Sequence, residues 1–102
     1  MTTGRRADGH PTVLVKGDFL HRLHYRFVRR GWLPMWVVYR PVTREYPGKW
    51  VARMHVTIPE AKPTRFVMTH DTLYELRNIL PPGLAMVARS EHDVPEIQET
   101  WL

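Results

Sequence analysis

The chain has 102 residues, 15 Lys and Arg against 10 Asp and Glu, a formal charge of +5, 43% hydrophobic residues and no cysteine. That size fits one domain around one core, and that composition excludes a mostly disordered chain. The absence of cysteine excludes a disulfide scaffold, a thiol nucleophile and a thiolate metal site.

The charge is segregated. Up to Pro34 there are seven basic residues against Asp8 and Asp18, whereas from Met35 onward eight basic residues meet eight acidic ones. A basic arm therefore precedes an electrically neutral body, and the high pI says nothing about the body. No apolar stretch approaches the roughly 20 residues that span a bilayer, and no secretory h-region is present. The expectation is a soluble, cytoplasmic protein without a membrane partner.

Residues 1–17 read as a flexible basic tail, broken by Gly4, Gly9 and Pro11. Residues 18–34 read as a basic amphipathic helix and linker. Asp18 is its expected N-cap, Phe19 to Arg30 its body and Gly31 its stop. Phe19, Leu20, Leu23 and Phe27 share one arc, and Arg22, Arg26 and Arg29 form a stripe beside it.

Residues 35–102 read as a compact α+β body. Trp36 to Arg40 predicts a strand, and Tyr46-Pro47-Gly48-Lys49 a type II turn closing a hairpin. In the return strand, Trp50, Ala52, Met54, Val56 and Ile58 alternate with Val51, Arg53, His55 and Thr57, which predicts one dry face and one wet face. Arg65 to Thr69 predicts a third strand. Thr72-Leu73-Tyr74-Glu75 has capping-box spacing, and the helix it opens should run to about Leu80 before Pro81-Pro82-Gly83. Ala85 to Arg89 and Glu96 to Trp101 predict two last strands, the latter weakly patterned. The fold class is α+β: an N-terminal helix, then antiparallel β-β-β-α-β-β with the helices on one face of the sheet.

Tyr46-Pro47-Gly48-Lys49, Asp71-Thr72-Leu73, Ile79-Leu80-Pro81-Pro82-Gly83-Leu84, Arg89, Asp93 and the ending Pro95-x-Ile97-x-Glu99-x-Trp101-Leu102 resemble a family of small bacterial and phage proteins ending in P-x-I-x-E-x-W-L. The resemblance covers roughly residues 35–102 and implies a size class but no functional residue. Residues 1–34 lie outside it and read as an extension rather than a misplaced start. Asp71-Thr72-Leu73-Tyr74-Glu75-Leu76 also resembles the helix entry of HicB-type antitoxin domains.

His21 and His24, one turn apart, raise the thought of a zinc site, but no H-E-x-x-H or local carboxylate completes it, so no metal and no cofactor is expected. His70-Asp71 lacks a nucleophilic serine in a G-x-S-x-G turn, and Asp71 is expected to help cap the second helix. Glu91, Asp93, Glu96 and Glu99 make an acidic quarter, read as a solvated edge able to meet a basic partner. Arg22, Arg26, Arg29 and Arg30, with Tyr25 and Trp32 nearby, are the best candidates for contact with nucleic acid or an acidic partner.

Two expectations follow from these residues. The first is a non-catalytic binding protein of the kind carried by phages and mobile elements, docking on a larger protein or ribonucleoprotein complex, such as an anti-CRISPR-like inhibitor. The second is an antitoxin-like regulator that binds nucleic acid through the basic helix. A small ribonuclease using His24 or His55 is the enzymatic alternative, and homo-oligomers are compatible with all three.

Overall fold

The computed structural model describes residues 12–58 and 60–102. Their order is β1 (Val13–Leu14), α1 (Gly17–Arg29), β2 (Pro34–Tyr39), β3 (Trp50–Val56), β4 (Lys62–His70), α2 (Leu73–Ile79), β5 (Met86–Ala88) and β6 (Ile97–Trp101). The six strands form one sheet in the order β1-β4-β3-β2-β6-β5. The α+β expectation holds. One detail differs: β1 joins β4 in parallel, so the sheet is mixed and not wholly antiparallel.

Register explains the core. Trp36 lies opposite Met54 and Trp101, Val38 opposite Ala52 and Glu99, and Ala52 opposite Met68. Side chains two residues apart on paired strands share a face, so these positions present one continuous surface. Leu20 and Leu23 of α1, Leu76 of α2 and Leu80 at its C-cap join it, together with Val15, in a single buried cluster. Fully burying one such aliphatic side chain stabilises the fold by about 1.5–3 kcal/mol. His21 Nε2 bonds the Ile79 carbonyl at 2.9 Å, tying the first helix to the end of the second.

The stretch 12–17 is not the free tail expected of it. Val13 and Leu14 pair with Phe66 and Val67, the Val15 N–H donates to the Val67 carbonyl at 2.9 Å, and the Val15 side chain enters the core. Residues 1–11 of the expected tail lie outside the described residues. Asp18 is not the N-cap of α1 either: Lys16 holds that position without a side-chain cap, and Asp18 sits in the first turn, where a carboxylate still favours the helix dipole.

The Tyr46–Lys49 turn forms as expected. The Lys49 N–H donates to the Tyr46 carbonyl at 3.2 Å, and Gly48 takes φ 81°, which only glycine adopts without strain. The expected wet face of β3 does not form. Val51 is buried and Arg53 and His55 are half-buried; over Val51 and Arg53 the segment from Arg40 to Lys49 folds across that side of the sheet. Thr43, Glu45 and Tyr46 there line a small cleft with Tyr39, Val51, Arg53 and Val67. The Tyr46 and Thr12 hydroxyls bond each other.

The second helix begins as its sequence predicts. The Thr72 hydroxyl oxygen accepts the Glu75 N–H at 3.1 Å, but the Glu75 carboxylate takes the Thr72 hydroxyl proton at 3.0 Å instead of reaching the backbone N–H of Thr72. Asp71 does not cap. It pairs with Lys49, fastening the hairpin turn to the helix entry. Among the described residues no helix is long and apolar enough to cross a membrane.

Candidate functional site

The acidic quarter comes apart first. Glu99 is 2% exposed, on the helix side of the sheet. Arg77 of α2 reaches both of its oxygens, Nε to Oε2 at 2.8 Å and Nη2 to Oε1 at 2.6 Å, and the Trp101 indole N–H donates to Oε2 at 2.8 Å. These bonds, the Arg77 contact foremost, hold the Glu99 carboxyl below its ordinary range despite burial, and the Arg77 guanidinium is raised in turn. Glu99 therefore cannot meet a partner.

Asp93 is also engaged. It accepts the Ser90 N–H at 2.8 Å, while Arg89 donates to the carbonyls of Asp93, Val94 and Ile97 and pins the loop. Glu91 and Glu96 remain exposed. Two exposed carboxylates do not make the acidic strip expected from the sequence.

His24 and His55 are taken up by the fold as well. His24 is buried and its Nδ1 accepts the Trp36 indole N–H at 3.1 Å, which leaves the neutral ring's own proton on Nε2. Burial, helped by His21, lowers its pKa and keeps it neutral. His55 is pushed down to about 4, mainly by burial and then by Arg53. Its Nε2 is buried without a hydrogen-bond partner among the described residues. No group of three or more His, Asp or Glu able to hold a metal exists among the described residues.

The basic face of α1 forms as the spacing predicts. Arg22, Tyr25, Arg26 and Arg29 are exposed, and with half-buried His21 they line a shallow groove of about 280 Å³. Over seven residues the Arg22–Arg29 stripe extends roughly 10 Å along the axis. No carboxylate among the described residues pairs with Arg22, Arg26, Arg29 or Arg30; Asp71 and Glu99 are engaged elsewhere, by Lys49 and Arg77. Arg26 and Arg29 stand in the last turn, where cations suit the helix dipole. Arg22 and Arg26 stand i, i+4 apart and Arg26 and Arg29 i, i+3, spacings at which like charges repel.

The helix ends in a Schellman turn. The Gly31 N–H donates to the Val28 carbonyl at 2.9 Å and the Trp32 N–H to the Phe27 carbonyl at 3.0 Å, with Gly31 at φ 80°. The motif brings Trp32 against Phe27, edge to face with ring centroids 5.3 Å apart. The Arg30 guanidinium lies over Trp32, 5.6 Å from its ring centroid. Trp32 keeps 38% of its surface exposed. Gly31 as the stop and Trp32 as a nearby aromatic were visible in the sequence; the groove that they open against β3 and β4 was not, because its other wall comes from residues 56–66.

No known protein family matches this chain, and no curated protein or solved structure shows significant similarity to it. Several of the motif residues singled out in the sequence have structural work here. Gly48 turns the hairpin, Lys49 holds Asp71, Arg89 pins the loop before β6, and Glu99 with Trp101 closes the Arg77 pairing.

Proposed function

We propose that the protein is a non-catalytic binding protein whose α1 face takes a polyanion, and that the polyanion is nucleic acid. One observation carries the reading: Arg22, Arg26 and Arg29 stand exposed along one face of α1, Arg30 follows at its C-cap, and no described carboxylate neutralises any of them. Packing alone does not call for such an arrangement, since α1 buries Leu20, Leu23 and His24 on its other side. Guanidiniums one turn apart suit successive phosphates, and releasing counterions from a charged backbone supplies affinity without any pocket. Tyr25 within the stripe and Trp32 beyond it offer flat surfaces for stacking. An antitoxin-like regulator is one protein type that this arrangement suits.

Salt titration tests it. Contacts to four phosphates of a single strand give a slope of log K against log salt of roughly −3, and each Arg→Ala change on the face should reduce it by roughly 0.7. Arg22→Glu with Arg26→Glu should abolish binding. Salt-independent binding, or none at low ionic strength, contradicts the proposal.

Docking on a larger protein or ribonucleoprotein complex is the second reading, supported by the apolar groove beside Trp32. A host-defence inhibitor and the likeness to small phage proteins belong with this second proposal. Affinity capture with and without nuclease separates the two: recovery of a defined complex that survives nuclease favours the second.

A further inference from the structure

At the C-terminal end of α1 the Schellman turn opens onto a groove of about 370 Å³ between the helix and the β3–β4 hairpin. Phe27, Trp32, Ile58 and Phe66 give it an apolar, largely aromatic wall, and Lys62 and Arg65 bring cations to it. Phe27 meets Trp32 and Phe66 edge to face, with centroids 5.3 and 6.4 Å away. Their faces are thus held by packing instead of being free to collapse together. Arg30 covers part of Trp32. Glu60, in the turn between β3 and β4, does not line the groove.

We propose that this groove receives an unpaired nucleobase, so that the nucleic acid bound by the α1 face is single-stranded. The inference rests on the reading of that face as a nucleic-acid site and names its substrate class. Three features support it. Phe27 follows Arg26 in the chain, and Arg30, at the end of the same helix, lies over Trp32 at the groove, so one strand can pass from the arginines of α1 to it. A wall of fixed aromatic rings beside cations complements a flat aromatic group carrying a phosphate. Finally, a base within a duplex has both faces stacked on its neighbours and cannot enter a recess without being extruded. An acidic peptide with one aromatic side chain is the competing occupant.

The test uses the full chain, a labelled oligothymidylate and a duplex of equal length, both at low salt and followed by fluorescence anisotropy. The single strand should bind more tightly and quench tryptophan fluorescence. Trp32→Ala should weaken single-strand binding by roughly 5- to 150-fold, the range that stacking one base spans, and leave duplex affinity unchanged. Trp32→Phe should retain most of the affinity. Should Trp32→Ala fail to unfold cooperatively like the parent chain, Lys62→Ala with Arg65→Ala, both exposed, must show the same single-strand selectivity of loss. Equal affinity for strand and duplex, both lost on Arg22→Glu with Arg26→Glu, overturns the single-strand assignment and leaves the α1 reading standing. Failure of both probes to bind at low salt overturns both, as does capture of an acidic peptide in their place.

Discussion

The two charged regions of this protein treat their charges in opposite ways. Between α2 and the sheet, Glu99 is buried and its oxygens are satisfied by Arg77 and Trp101. Along α1, the guanidiniums of Arg22, Arg26, Arg29 and Arg30 are exposed with no described carboxylate paired to them. A buried carboxylate must be matched by donors or its desolvation destabilises the fold. An exposed cation escapes that demand, since water solvates it, and it stays available to a ligand. Charge in the interior reports on folding, and charge on α1 bears on the binding proposed for it.

The sharpest way to break that contrast is to unpair the interior. Arg77→Ala leaves Glu99 buried with only the Trp101 N–H and should cost about 3 kcal/mol, read from chemical denaturation. Glu99→Gln leaves an Arg77 whose side chain is 41% exposed and can reach water, so it should cost less, about 1–2 kcal/mol. Equal costs for the two changes would show that the carboxylate is not desolvated as the structure places it.

Acid titration gives the next largest effect. His24 and His55 have folded pKa values below their ordinary 6.5, His55 at about 4. In that interval the unfolded chain binds more protons than the folded one, so stability rises with pH. Their contribution is complete above about 6.5 and is lost as pH falls from there toward about 4, on the order of 2 kcal/mol for His55. Glu99, whose pKa is lowered from 4.5, adds a further loss below that value. His55→Gln should flatten the upper part of the acid limb in thermal melts at successive pH values; an unchanged slope would contradict the burial of that ring.

The smallest effects belong to the helix ends. Thr72→Ala removes the bond to the Glu75 N–H and should cost about 1 kcal/mol. Gly31→Ala meets open space for its methyl group but keeps φ near 80°, so backbone strain of about 1–2 kcal/mol is expected. Since the same turn seats Trp32, this variant should also weaken binding that depends on the groove, whereas Thr72→Ala should not.

The sequence made the α+β class, the β2–β3 hairpin, the capped second helix and the arginine stripe legible, because each rests on local periodicity or turn chemistry. Features depending on distant partners were less visible. Two residues, Val13 and Leu14, carry too short a pattern to declare a strand, and their partners in β4 lie some fifty residues away. Glu99 looked like part of a solvated edge, yet its place two residues from both Ile97 and Trp101 put it on the inward face, and Arg77 was a plausible mate on the helix above. His24 had a similar signal, standing one turn after Leu20 on the buried side of α1. The cover over Val51 and Arg53 comes from a long loop whose path no local rule foretells.

The central claim is that the α1 arginines serve a ligand and not the fold. Its most direct test is to replace Arg22, Arg26 and Arg29 together by alanine and measure unfolding free energy and single-strand affinity on the same preparation. Stability should change by no more than about 0.5 kcal/mol per site, in either direction because relief of mutual repulsion offsets the lost dipole interaction, while binding disappears. A cooperative loss of several kcal/mol, or affinity that survives the replacement, would contradict the account.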